Sequence, residues 1–181
     1  MKKYEKLADG RVILLLVFLF FLTILAIVPA IYPKFQTLDT LSSYTPQKAY
    51  DLITSYGEQG RQSYAIIELT LDLAYPLITA LMFSLMTLYT FKRAFPGVEW
   101  AKYVAFAPFV VMLSDYLENA CVVTMLLSYP RELVGMAQMA NFFTVAKSIL
   151  FPLQLLFIVG LIGWLIRIIF LRRRAAKKGD A

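Results

Sequence analysis

Histidine is absent from this chain of 181 residues, and cysteine occurs once, as Cys121. The first absence excludes haem or zinc held by histidine and every catalytic triad that depends on an imidazole. The single thiol excludes an intrachain disulfide, so cysteine gives no information about the redox compartment. The motifs GxSxG, GxGxxG, HExxH and CxxC are missing, as is a P-loop, so no familiar enzyme class is predicted.

Charged residues are also scarce, at 17% of the chain, whereas 60% of the residues are hydrophobic. An ordinary soluble domain is about 25% charged and about 45–50% apolar. The apolar residues here are grouped in long blocks instead of being spread at amphipathic spacing. Because only helices and closed barrels satisfy their backbone in lipid, these blocks predict an all-α integral membrane protein within the lipid bilayer.

Four blocks are long enough to span a bilayer, at about residues 12–32, 62–91, 101–128 and 137–171. They predict one transmembrane domain over residues 12–171, built as a four-helix transmembrane bundle. The first block is also open to interpretation as a cleaved signal peptide, because Val28-Pro29-Ala30 loosely resembles a cleavage site. Its apolar core is longer than a typical signal-peptide core, which favours retention.

Basic residues indicate how these helices are oriented. Lysine and arginine are concentrated in residues 1–11, in the loop between the second and third spans, and in the tail, residues 172–181. Short segments rich in lysine and arginine stay in the cytoplasm. We therefore expect cytoplasmic termini, a plasma (inner) membrane location and a disordered basic tail near the headgroups. The net charge of +6 reflects this placement and does not indicate a nucleic-acid partner.

The outer loop, residues 33–61, contains a predicted short amphipathic interfacial helix at about residues 46–56. Thr45 is a typical N-cap, Pro46 suits the first helical position, and Gly57 is a typical stop signal. One face of this helix is apolar and rich in tyrosine. It would lie over the outer helix ends, either as a packed connector or as a gate, with residues 57–61 as a flexible joint.

Five ionisable residues interrupt the last three apolar blocks: Glu68, Asp72, Asp115, Glu118 and Lys147. A charge at the centre of a spanning helix costs about 2.5–3.5 kcal/mol on insertion scales, so these residues should pair or face water. From a rise of about 1.5 Å per residue, four of them fall in one layer in the outer half of the bilayer. Glu68 is predicted at the rim, either paired with Arg61 or facing water.

Neutral polar residues accompany these charges on the same helix faces. Pro76 follows four residues after Asp72, so it cannot donate to the Asp72 carbonyl and should kink the second span. Asn119 lies four residues after Asp115 and shares its face. Further supporting polar positions are Ser114, Asn141, Thr144 and Ser148.

The charged layer has two main interpretations. In one, a cavity lined by Asp72, Asp115, Glu118, Asn119 and Lys147 binds or transports a small ligand, a proton or a cation. No cofactor is predicted, although a divalent cation would suit Asp72, Asp115 and Glu118 as oxygen ligands. In the other, an ion pair of Lys147 with a carboxylate locks the bundle of a noncatalytic accessory subunit.

An intramembrane enzyme is a further alternative. One carboxylate would act as acid or base on a lipid-like substrate, with Lys147 stabilising negative charge. Transport would instead require a homo-oligomer, because four spans are few for a monomeric transporter. The residue pattern is compatible with each of these functions and identifies no ligand.

Overall fold

The computed structural model describes residues 2–95, 97 and 100–179, and its regular elements are helices. The apolar helix Gly10–Ile31 contains a π-helical turn at Thr23–Ile27. A short 3-10 turn, Leu38–Thr40, follows this helix. In chain order the helices are α1 (Lys2–Leu7), α2 (Gly10–Ile31), α3 (Pro46–Ser55), α4 (Gly57–Ala94), α5 (Ala101–Val104), α6 (Ala107–Ser128) and α7 (Val134–Gly179).

Four of these helices, α2, α4, α6 and α7, are long and apolar enough to cross a membrane. This confirms the predicted set of four long apolar helices. α4, α6 and α7 pack against one another, whereas α2 packs mainly against α4. The rings of Phe20 on α2 and Phe83 on α4 lie 6.5 Å apart within that contact.

The helix boundaries differ from the sequence prediction in several places. α4 begins at Gly57 instead of near residue 62, because Gly57 makes the turn itself with a φ of 65°. The predicted flexible joint at residues 57–61 is therefore helical. The third block is divided into α5 and α6, and Pro108 lies in the first turn of α6, where a missing N–H is tolerated.

α7 also continues beyond the predicted end of the fourth span, as far as Gly179. The basic tail, expected to be disordered, is thus helical through that residue. Alanine, arginine and lysine are strong helix formers, and the stretch after Leu171 holds no proline or glycine before Gly179.

Residues 32–56, here named the cap segment, cover one end of the α4, α6 and α7 group, here named the capped end. Thr45 accepts a hydrogen bond from the Lys48 backbone N–H at 3.2 Å, and Pro46 occupies the first turn of α3. The apolar face of α3 is buried in the largest core cluster of the protein, together with residues of α4, α6 and α7. Its buried residues are Ala49, Tyr50 and Ile53.

Candidate functional site

A cavity of about 360 Å³ lies between α4, α6 and α7, next to the cap segment. Ligand pockets commonly occupy about 300–1,000 Å³, so this space suits a small molecule. Apolar side chains such as Val111, Met112 and Phe151 form much of its wall. The polar residues that line it are Asp39, Asp72, Tyr75, Thr79, Asp115, Asn119, Thr144, Lys147, Ser148 and Gln154.

Pro76 shapes the α4 wall of the cavity. A proline cannot donate to the carbonyl four residues earlier, which here belongs to Asp72. The Asn119 Nδ2 amide of α6 donates to that carbonyl at 3.0 Å and replaces the missing bond. The neighbouring Leu73 carbonyl accepts from the Tyr116 hydroxyl at 2.6 Å. α4 and α6 are therefore joined where the helical hydrogen bonding of α4 is interrupted.

Lys147 of α7 binds two carboxylates of α6. Its Nζ lies 2.8 Å from Asp115 Oδ1 and 2.5 Å from Glu118 Oε2. Glu118 is completely buried, whereas the Lys147 and Asp115 side chains keep 21% and 15% of their exposed area. Thr144 donates to Glu118 Oε1 at 2.7 Å. We name Asp115, Glu118, Thr144 and Lys147 the lysine network.

The cap segment is tied to this network at Tyr44. The Tyr44 hydroxyl lies 3.4 Å from the Thr144 hydroxyl, and the Tyr44 backbone N–H donates to Asn141 Oδ1 at 2.7 Å. Burial raises the pKa of the Tyr44 phenol, so the group stays protonated at neutral pH. The lysine network therefore stabilises both the α6–α7 contact and the seating of the cap segment.

A second group of acids lies at the capped end. One carboxylate oxygen from each of Asp39, Glu68 and Asp72 lies within 4.8 Å of the other two. Glu68 and Asp72 are one turn apart on α4, and Asp39 comes from the 3-10 turn Leu38–Thr40. Asp39 and Asp72 line the cavity, and Glu68 is 1% exposed. We name these three residues the carboxylate cluster.

Asp39 is held in place by two tyrosines. The Tyr64 hydroxyl donates to Asp39 Oδ1 at 2.7 Å, and the Tyr32 hydroxyl donates to Asp39 Oδ2. Tyr64 also accepts from the Leu38 backbone N–H at 3.2 Å. Both oxygens of Asp39 thus accept hydrogen bonds, as a charged carboxylate requires.

The other two members of the cluster are poorly satisfied. Within the described part of the chain, neither oxygen of Glu68 has a hydrogen-bond partner, and neither does Asp72 Oδ2. Gln154 Oε1, in the cavity wall, is buried without a partner there as well. Most buried polar groups in proteins are hydrogen-bonded, so these atoms call for an explanation.

The predicted rim pair does not form. Glu68 is buried instead of facing water, and Arg61 lies over the Tyr129 ring, 4.0 Å from its centre. The Arg61 guanidinium also reaches the Ile53 carbonyl at 3.5 Å. Glu68 belongs to the carboxylate cluster because it lies next to Asp39 and Asp72, whereas Arg61 contacts Tyr129 and Ile53.

The predicted divalent-cation ligands are divided between two sites. Asp72 lies in the carboxylate cluster, whereas Asp115 and Glu118 bind Lys147. Of the supporting residues, Ser114 and Ser148 donate to carbonyls of their own helices, those of Val110 and Val145. Ser148 also lines the cavity.

Sequence analysis does not identify Asp39, Tyr64 or Gln154 as site residues. Asp39 lies in a loop, where no helical periodicity fixes its position. A partial signal exists for Tyr64, because Tyr64, Glu68 and Asp72 recur every four residues and share one face of α4. No comparable spacing indicates Gln154.

The cavity can therefore offer carboxylates and an amide oxygen at one side and apolar contacts at the other. Lys147 is already engaged by two acids, so the acceptors outnumber the free donors on the described lining. Such a site suits a positively charged group. Comparisons with known protein families, with characterised proteins and with solved structures found no match to this chain.

Proposed function

We propose that this chain is a multi-pass membrane protein whose interhelical cavity binds a small ligand with a positive charge and an apolar part. The observation that supports the proposal is the lining of the cavity: Asp39, Asp72 and Asp115 against the single cation Lys147. Each ligand charge near one of these acids gains several kcal/mol at an effective dielectric constant of about 20.

The lysine network limits the positive charge that Lys147 contributes to the cavity. Its ammonium is neutralised by Asp115 and Glu118, which together carry more negative charge than one lysine can balance. The network therefore leaves the cavity negative on its α6 side as well as at Asp72. A cationic ligand would compensate this excess, whereas an anionic ligand would face it.

The apolar wall favours an amphipathic ligand over a hydrated ion in this part of the cavity. Val111, Met112 and Phe151 offer no hydrogen-bonding groups to replace a hydration shell. Of the acids in the cavity wall, Asp115 is bound to Lys147 and Asp39 accepts from two tyrosines, which supports binding more than acid–base catalysis on a lipid-like substrate. Under the predicted orientation, the cavity lies in the outer half of the bilayer, with the cap segment above it.

The experiment uses the full chain in lipid nanodiscs and radiolabelled tetraphenylphosphonium, a compact apolar cation. Saturable binding above that of empty nanodiscs is expected. Asp72→Asn and Asp115→Asn should each weaken binding about 10–100-fold, because each removes one charge close to the ligand. Asp51→Asn, at an exposed position of α3, is the matched control and should bind as the wild type does.

Binding to the wild type that is no greater than binding to empty nanodiscs would overturn the proposal. Equal effects of Asp51→Asn and Asp72→Asn would also overturn it, since they would indicate only a change in surface charge. Folding of each variant is checked by size-exclusion chromatography and circular dichroism in the same nanodiscs.

The lysine network also favours a second role, that of a structural lock. Its four groups satisfy one another across α6 and α7, as expected for interhelical glue in an accessory subunit. If the lock is the sole purpose of the charges, Lys147→Met with Glu118→Gln should restore stability and no variant should show ligand-dependent behaviour.

A further inference from the structure

The carboxylate cluster carries a separate inference about a metal ion. We propose that Asp39, Glu68 and Asp72 together bind one divalent cation of the size of Ca²⁺. Their three oxygens lie within 4.8 Å of one another and come from two elements, α4 and the 3-10 turn of the cap segment. Hard oxygen ligands of this kind are those that Ca²⁺ and Mg²⁺ prefer.

Glu68 provides the independent support for a bound cation. It is 1% exposed, and neither of its oxygens has a hydrogen bond of good geometry among the described residues, since the nearby Tyr64 hydroxyl donates to Asp39 instead. A charged carboxylate without a partner is strongly disfavoured in a protein interior. A cation shared with Asp39 and Asp72 satisfies Glu68 and the second oxygen of Asp72 at once.

The charge balance of the cluster also supports a bound cation. Both oxygens of Asp39 accept from tyrosine hydroxyls, and Asp39 lies next to two further acids, Glu68 and Asp72. Among the described cations near the cluster, Lys147 is bound to Asp115 and Glu118, and Arg61 lies over Tyr129. Three acids at this spacing exceed what the surrounding protein compensates.

Coordination chemistry favours Ca²⁺ over Mg²⁺. Ca²⁺ accepts about 6–8 oxygen ligands in flexible geometry, whereas Mg²⁺ demands near-ideal octahedral geometry and dehydrates reluctantly. The three carboxylates come from a short turn and one face of α4, so an ion with flexible coordination suits them better. Water molecules from the cavity would complete the coordination of the larger ion.

This inference rests on the proposed function in one respect, because the ion would reach the cluster through the ligand cavity, which Asp39 and Asp72 line. Once bound, the ion would join the cap segment to α4. The position of the cap segment over the cavity would then depend on the free Ca²⁺ concentration.

The test uses the full chain in detergent with Tb³⁺, a luminescent ion of the size of Ca²⁺. Tyr64 and Tyr32 bind Asp39 directly, so they lie close enough to sensitise bound Tb³⁺ when they absorb light. We expect sensitised emission that Ca²⁺ displaces at lower concentration than Mg²⁺. Glu68→Gln and Asp39→Asn should each reduce the emission at least about tenfold. Glu132→Gln, at an exposed position, is the matched control.

A second readout does not depend on any variant. At a free Ca²⁺ concentration about 100 times the dissociation constant, the wild-type Tm should rise by about 5–10 °C relative to chelator. No rise and no displaceable Tb³⁺ emission in the wild type would overturn the metal site. Tetraphenylphosphonium binding, measured in chelator so that Asp39 and Asp72 hold no metal ion, keeps the two ideas apart. Its presence without Ca²⁺ binding refutes the metal site alone, and its absence in chelator refutes the ligand cavity.

Discussion

In the lysine network, two acids on α6 share one lysine and a threonine, whereas in the carboxylate cluster three acids have no cation among the described residues. The two groups lie on the same side of the molecule and both reach the same cavity. Glu118 and Glu68 are equally buried, at 0% and 1% exposure. Glu118 Oε1 accepts from Thr144 and its Oε2 pairs with the Lys147 ammonium, whereas among the described residues Glu68 has no hydrogen bond or ion pair of this kind.

This difference shows that burial of a carboxylate does not reveal its role, whereas its partners do. A paired buried acid is part of the packing, and removing one partner leaves the other uncompensated. An unpaired buried acid lowers the stability of the folded protein unless a ligand or an ion binds to it. Substitutions in the two groups should therefore change stability in opposite directions.

Lys147→Met should produce the largest effect. It leaves Asp115 and Glu118 without their cation, so the free energy of unfolding should fall by about 3–5 kcal/mol. Equilibrium unfolding in mixed micelles, followed by circular dichroism, measures the change. Lys48→Met, at an exposed position of α3, is the control. A loss equal to that of the control would show that the lysine network is not a structural unit.

Glu68→Gln should act in the opposite direction. In the presence of chelator it removes a buried charge that lacks a partner, so stability should rise by about 1–3 kcal/mol. The same change at Glu118 removes a partner of Lys147 and Thr144, and it should lower stability. The two variants are compared in one series of unfolding curves. The contrast between the two groups fails if Glu68→Gln and Glu118→Gln change stability with the same sign.

Tyr64→Phe should have an intermediate effect. The hydroxyl donates to Asp39 and accepts from the Leu38 N–H, so its loss should cost about 1–2 kcal/mol in unfolding free energy. It also frees one oxygen of Asp39, and the stabilisation by Ca²⁺ should change with it. Tyr129→Phe, which keeps the ring under Arg61, is the control in the same measurement. A change within experimental error at Tyr64 would show that Asp39 is held by other contacts.

The smallest effect is expected at the junction of α4 and α6. Asn119→Leu removes the donor to the Asp72 carbonyl and should cost about 0.6–1 kcal/mol. Pro76→Ala restores an N–H that can donate to that carbonyl, so the double variant should lose less than the sum of the single ones. A double-mutant cycle measures this coupling, and strict additivity would contradict it.

The parts of this structure that were predictable depend on local chemistry. The four long helices follow from apolar blocks, and the unmade hydrogen bond at Asp72 follows from a proline four residues later. That Glu68 and Asp72 share one face of α4 follows from their spacing on the helix, although the sequence predicted Glu68 at the rim and not inside. These are statements about neighbours in the chain, for which sequence spacing is sufficient.

The remaining features depend on how distant segments meet. Periodicity places Lys147 near three acids, but the choice of Asp115 and Glu118 over Asp72 depends on distances of an ångström or two. Asp39 reaches the cluster only because the cap segment folds back onto α4, and its path is set by burial of residues such as Ile53. Contacts between distant segments of this kind cannot be predicted from the spacing of residues within one segment.

α2 lies at the edge of the helix bundle and is separate from the site in the sequence. The residues that line the cavity and form the carboxylate cluster all lie between Asp39 and Gln154, outside α2. Within the most apolar stretch of α2, only 6% of the described residues are buried, although Phe20 stacks on the cavity residue Tyr75 at 5.8 Å. α2 therefore contacts the site from outside the cavity, where Phe20 stacks on Tyr75. A chain lacking α2 would retain every residue that lines the cavity.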